Sequence, residues 1–203
     1  MGQGYVRSLS HPGGNFTGLS FQTAETTGKR LQLLKELVPG AASVAVLWNR
    51  PDGLPAWQAA KAAARERGWK VLSLEIRDPG DLEGALKAAT KARVGALLVY
   101  AGRTLTAQSR RIAELAAKSR LPAMYSGRFF ADNGGLISYG ADQIAVWHRT
   151  AVFVDKILKG AKPGDLPIEQ PSKFELVINR KAAKALGLTI PPSLLLRADQ
   201  VIE

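Results

Sequence analysis

The run SVAVLWN, residues 43–49, constrains the fold more than any other stretch of the chain. Val44, Ala45, Val46, Leu47 and Trp48 are consecutive apolar residues, rich in β-branching and too few for a helix, which suits a strand buried on both faces of a parallel sheet. The residues behind it, Asn49-Arg50-Pro51-Asp52-Gly53, are polar and turn-forming. The strand therefore ends in a loop at the carboxyl edge of the sheet, where open α/β sheets bind ligands.

The same grammar repeats on both sides of this run. Leu31, Leu34, Leu37 and Val38 recur at helical spacing before it, Pro39-Gly40 ends that helix, and Thr23 is the expected cap. Pro55 opens a second helix with the small face Ala56, Ala59, Ala60, Ala63 and Ala64, stopped at Gly68. Residues 69–76 read as a strand, and Leu82, Ala85, Leu86 and Ala89 mark a third helix. GALLVY at 95–100 is another buried strand, followed by Gly102-Arg103-Thr104, a fourth helix over 105–118, and a short strand over 121–125 that runs into Ser126-Gly127-Arg128. Alternation of this kind predicts an α/β, Rossmann-like, doubly wound parallel sheet with right-handed crossovers.

Beyond this point the rhythm changes. Residues 134–140 read as a strand between glycines, and residues 144–158 as a long helix with Ile144, Trp147, Ala151, Val154 and Leu158 on one face, ended by Gly160. A proline-rich connection over 163–171, a strand over 173–179, a helix over 181–186 and a rigid exit over 188–192 follow. This tail reads as structure wrapping back onto another body. Residues 1–21 read as a linker or crossover without the basic and apolar segments of a secretory signal peptide.

Composition narrows the chemistry. With 203 residues, 46% hydrophobic and 22% charged, the chain has enough apolar mass for one good core or two small lobes. No apolar run approaches the roughly 18 to 20 residues of a membrane helix. There is no cysteine, so disulfides and thiolate chemistry are excluded, and His11 and His148 have no partner at metal-binding spacing. The formal charge of +11 is dispersed over Lys29, Arg30, Lys61, Arg65, Arg67, Lys87, Lys91, Arg110, Arg111 and Lys118 on separate helices, without interleaved aromatics. That distribution reads as a solvated basic surface rather than a nucleic-acid footprint. No phosphate-cradling loop or nucleophile elbow is present. Asp78 and Asp81 read as caps and Glu175 as part of an exposed strand face, so an enzyme is the weaker expectation and no cofactor is expected.

The stretches PGGNFTGLS, KRLQLLKELVPGAASVAVLWN, RLPAMYSGRFFADNGGLISYG and the C-terminal run from VDKILKG to RADQVIE together resemble a large bacterial family of ABC-transporter solute-binding proteins, which includes tryptophan- and tyrosine-binding members. The resemblance covers essentially the whole chain. It implies the type I periplasmic binding protein fold, with one lobe nearly complete and the other partial. Residues 1–17 would hold the end of lobe I and the first crossing, 18–137 lobe II, 138–179 the hinge crossings and a lobe I helix, and 180–203 a tail on lobe II. It also implies an N-terminally truncated chain, with Met1 standing where relatives carry a valine, and a full-length form that is periplasmic.

The implied partners are a small-molecule solute, an ABC permease and its ATPase subunit, with no nucleic acid and no membrane span. The implied mechanism is capture of an amino acid or related carboxylate between lobes. The strand ends then nominate Asn49, Tyr100, Gly102, Tyr125, Ser126 and Arg128, with Ser138 and Tyr139 at the hinge; a carboxylate held by Ser126 and Arg128 is compatible with these residue types. The alternative from a different class is the ligand-sensing domain of a regulator or receptor with the same fold.

Overall fold

The structure, a computed structural model, describes residues 6–21, 23–50 and 53–203. Its elements in chain order begin with α1 (Thr27–Leu37), β1 (Ser43–Asn49), α2 (Leu54–Glu66), β2 (Lys70–Ile76), α3 (Asp81–Lys91) and β3 (Ala96–Val99). They continue with α4 (Arg103–Ala107), α5 (Ser109–Lys118), β4 (Ala123–Tyr125), α6 (Arg128–Asp132), β5 (Ile137–Ala141) and α7 (Gln143–Leu158). The chain ends with β6 (Phe174–Asn179), α8 (Arg180–Ala185), α9 (Pro192–Leu195) and β7 (Gln200–Ile202).

The apolar run at β1 is a central strand, as its composition demands. It pairs in parallel with β2 on one side and β3 on the other. Its side chains alternate between two cores. Val44, Val46 and Trp48 join the helices α1, α2, α8 and α9 on one face, while Ala45 and Leu47 join α3, α4, α5 and α6 on the other. The result is a three-layer α/β/α arrangement on a seven-stranded sheet of order β2-β1-β3-β4-β5-β6-β7. β3 and β4, β4 and β5, and β6 and β7 are also parallel pairs. The bonds from Asp142 N–H to Lys173 O and from Asn179 N–H to Leu136 O join opposite ends of β5 and β6, so that pair is antiparallel.

The helices that return the chain to the sheet end in one repeated device. Gly68, Arg93 and Arg120 lie in the left-handed region, at φ of 70°, 51° and 51°. The next residue in each case, Trp69, Val94 or Leu121, donates its N–H back to Ala64, Ala89 or Ala116. This satisfies the last carbonyls of α2, α3 and α5 and aims the chain at the following strand. Glycine marks only the first of the three in the sequence.

Several boundaries differ from the sequence expectation. The helix expected over 105–118 is two, α4 and α5, broken at Gln108. Thr23 does not cap α1; Thr26 is the N-cap, and Thr23 instead offers its carbonyl to Arg30 Nη1 at 2.6 Å. α6 was not visible as a helix, and α9 and β7 stand beyond the expected rigid exit.

The described residues divide into two compact units, one within Met1–Gln22 and Ala141–Phe174, the other within Thr23–Gly140 and Glu175–Glu203. In the first, an extended N-terminal segment is pinned to the connection after α7 by Gly13 N–H to Gly164 O, Ile168 N–H to Leu9 O and Ser20 N–H to Glu169 O. Arg149 holds the Glu169 carboxylate from two nitrogens at 2.6 and 2.5 Å. Asp142 caps α7 by accepting from Ala145 N–H. The second unit carries most of the sheet and both cores.

Candidate functional site

All eight residues nominated from the sequence lie in the larger unit. The chain passes from β1 to β2 on one side and then crosses to β3 on the other, so the switch point of the sheet lies between the carboxyl ends of β1 and β3. A crevice forms there in open α/β sheets because the two following segments leave toward opposite faces.

Asn49 ends β1 and is nearly buried. Its Nδ2 donates to Arg50 O at 3.3 Å. Across the switch point, Gly102 lies so close that a Cβ on it would collide with Asn49 Oδ1. The two loops touch, and any side chain at position 102 would have to displace the Asn49 amide. One strand further, Ala101 N–H donates to Ser126 Oγ at 2.6 Å, and Ser126 N–H donates to Val99 O. Ser126 thus ties the end of β4 to the end of β3. Gly140, on β5, extends the row, because a Cβ there would meet Ser126 O. Asn49, Gly102, Ser126 and the end of β5 consequently form one continuous edge.

The two tyrosines are not brought together. Tyr100 is buried among the α1 and α2 side chains, where its hydroxyl shares a 2.5 Å hydrogen bond with Thr27 Oγ1. Burial pushes its phenol up to about 12. Tyr125 lies in the opposite core, stacked on Phe130 at 4.8 Å between ring centroids, and burial raises its phenol as well. Both finish strands and hold up the edge from beneath.

Arg128 opens α6. Its Nε donates to Asp132 Oδ2 at 3.2 Å and its Nη1 to Glu175 Oε2 at 3.4 Å. Glu175 is not on an exposed face, as its strand position suggested; it is 9% exposed and faces Arg128. Ser138 is 1% exposed, and its Oγ is buried without a hydrogen-bond partner. Tyr139 is half-buried, and its carbonyl accepts from Arg30 Nε at 2.7 Å.

Arg30 is the residue that the sequence reading missed. It was grouped with the solvated basic surface, yet it is 1% exposed, lies 5.8 Å over the Tyr100 ring, and bonds the carbonyls of Thr23 and Tyr139. Burial draws its guanidinium down to about 10. It joins the segment that precedes α1 to the middle of β5. The signal was available: Thr27, Arg30, Leu31 and Leu34 share the buried side of α1.

Among the described residues no group of three or more His, Cys, Asp or Glu is placed to hold a metal, and no helix is long and apolar enough to cross a membrane.

This geometry can be set beside known proteins. Residues 1–202 match the family model for the ABC transporter substrate binding protein. A tyrosine-binding protein of Clostridioides difficile (strain R20291) is 24% identical over 187 residues, which are 91% of this chain and 53% of that protein. Among solved structures, a conserved domain protein from Vibrio cholerae superposes with a TM-score of 0.88 at 27% identity, covering 97% of this chain and 66% of that one. An ABC domain in complex with L-Trp from Streptococcus pneumonia has the same TM-score at 29% identity, covering 99% of this chain and 68% of that one. The chain therefore spans about half the length of the curated relative and about two thirds of the solved ones. With the sheet, its switch point and a family match over nearly every residue in agreement, the chain belongs to the ABC transporter substrate-binding protein family.

Proposed function

We propose that this chain carries the solute-capturing sheet edge of the substrate-binding component of an ABC importer, and that the solute is an amino acid or related small carboxylate. The observation that carries this reading is the convergence of parallel strand ends on one edge, where Asn49, Gly102, Ser126 and Gly140 adjoin beside a switch point. In this reading Asn49, Ser126 and Ser138 offer polar groups to the solute, Gly102 lets the backbone approach it, and Arg128 and Tyr139 border it. Tyr100 and Tyr125 support that edge from the core. Family membership supplies the context: delivery to a permease with its ATPase, and an extracytoplasmic place for the full-length protein.

The ligands named for the two relatives, tyrosine and L-Trp, put aromatic amino acids first. A thermal-shift panel of the standard amino acids and small carboxylates at millimolar concentration tests the reading, because a ligand that binds only the folded state raises the midpoint. A selective rise with one chemical group of amino acids supports it. A flat panel up to the solubility limit sinks it.

A further inference from the structure

A second crevice lies at the amino edge of the sheet, away from the edge on which Asn49, Gly102 and Ser126 meet. It opens between α5 and α8, where β4 and β5 begin, and all of its lining belongs to the larger unit. Its volume is about 300 Å³, at the small end of the range for ligand pockets and enough for one ring-sized molecule. Ala113 and Ala116 of α5 and Ala182 and Ala185 of α8 give it largely apolar walls. Small residues alone would make only a gap. Tyr125 sets this one apart. Its backbone pairs with Ser138, yet its Cδ2 and Cε2 atoms lie where a Cβ on Gly135 would collide with them. Gly135 precedes Ser138 by three residues, so the ring is laid back toward the amino edge and carries its hydroxyl to the crevice it lines. The residue is 1% exposed, and the hydroxyl has no hydrogen-bond partner among the described residues. A buried phenol hydroxyl normally has one.

Two other polar residues line the crevice. Asn179 is engaged, because its Oδ1 accepts from Ala182 N–H at 3.0 Å and its Nδ2 donates to Ala131 O at 3.3 Å. Lys181 is exposed, is the one charged residue of the lining, and makes no ion pair among the described residues. The free groups are therefore a neutral hydroxyl on a buried wall and an ammonium at the surface. The partner of the hydroxyl must be neutral, since a charge pressed into an apolar wall loses its hydration. A carboxylate suits the solvent side, where it stays hydrated and meets a positive charge. We propose that this crevice is a second ligand site, separate from the solute edge, for a small hydroxylated aromatic acid. The ring lies on the alanines, its hydroxyl meets Tyr125 Oη, and its carboxylate lies toward Lys181.

The test is NMR of the full 203-residue chain, labelled at its alanine methyls and titrated with three probes. 4-Hydroxyphenylacetate carries both polar groups, phenylacetate lacks the hydroxyl, and tyramine has an ammonium in place of the carboxylate. The methyls of Ala113, Ala116, Ala182 and Ala185 report on the crevice, and that of Ala101 on the opposite edge. 4-Hydroxyphenylacetate is expected to shift the crevice methyls and leave Ala101 in place. It should bind about three- to tenfold more tightly than phenylacetate, the weight of one neutral hydrogen bond. Its advantage over tyramine should be about two- to fivefold, because an exposed charge contributes little. Tyr125→Phe should abolish the first difference and Lys181→Gln the second. Circular dichroism melts check that both variants fold. Should Tyr125→Phe fail to fold, the ranking of the probes on the unaltered chain and the Lys181→Gln variant decide the matter. Crevice methyls that stay in place up to the solubility limit, shifts confined to Ala101, or equal affinity for the three probes overturns the inference. The solute-binding reading is tested separately, by the amino-acid panel, and neither result decides the other.

Discussion

Tyr100 shows how one side chain can serve an edge without facing it. Its hydroxyl is satisfied by Thr27 and its ring lies under the Arg30 guanidinium, so the strand end is held from the core side. Its phenol rises from an ordinary value near 10 to about 12 because burial disfavours the phenolate. The stability contributed by this raised value is complete below pH 10 and is lost as pH climbs toward 12, where the unfolded chain has already released the proton. Arg30 acts in the other direction over part of that range, since its value is lowered to about 10 and the folded state releases its proton first. Comparing the chain with Tyr100→Phe isolates the phenol. The variant is expected to lose about 1 kcal/mol at pH 7 with its hydrogen bond. Between pH 10 and 12 the unaltered chain should fall relative to the variant by up to about 2 to 3 kcal/mol. Urea titrations at stepped pH measure the difference, and a constant gap across that range refutes the assignment.

At the scale of elements, α7 stands apart. Its buried positions are Val146 and Phe153, whereas Ile144, Trp147, Val154 and Leu158 are exposed, Trp147 by 63% and Leu158 by 81%. These are the residues whose spacing marked one apolar face in the sequence. An exposed apolar stripe of this size promotes association. Trp147→Lys combined with Leu158→Lys is expected to raise the concentration up to which the chain sediments as a monomer. The change in stability should stay within about 0.5 kcal/mol, because neither side chain is packed. An unchanged sedimentation profile would remove this helix as a source of association.

For the molecule as a whole, the tail after β6 decides whether the larger unit is complete. α8 and α9 place Ala183 and Leu194 in the core beneath α1 and α2, β7 pairs with β6, and Asp199 accepts the Leu176 N–H at 2.7 Å. Arg197 also reaches Glu36 on α1. Residues more than 150 positions apart in the chain therefore share one core with those that follow the first boundary at Thr23. Leu194→Ala removes a fully buried side chain from that core and is expected to cost about 2 to 5 kcal/mol, read as a lower urea midpoint at unchanged slope. A loss below 1 kcal/mol would show that the tail is dispensable to the fold.

The sequence by itself determined the alternation of helix and strand, the central place of SVAVLWN and the edge at which to look, because these depend on apolar periodicity and turn chemistry, both local properties. It also carried the family, through stretches spread over the whole chain. Tertiary structure alone decided which polar residues are buried. Arg30 and Glu175 look like surface charges in a linear reading and become buried only when elements distant in sequence supply Tyr139 and Arg128 as partners. The same holds for Tyr100 and Tyr125, whose opposite faces follow from strand pairing, and for β7, which is too short to be recognised without β6 beside it. Burial and charge pairing depend on contacts between distant segments, and composition and spacing along the chain do not encode them one residue at a time.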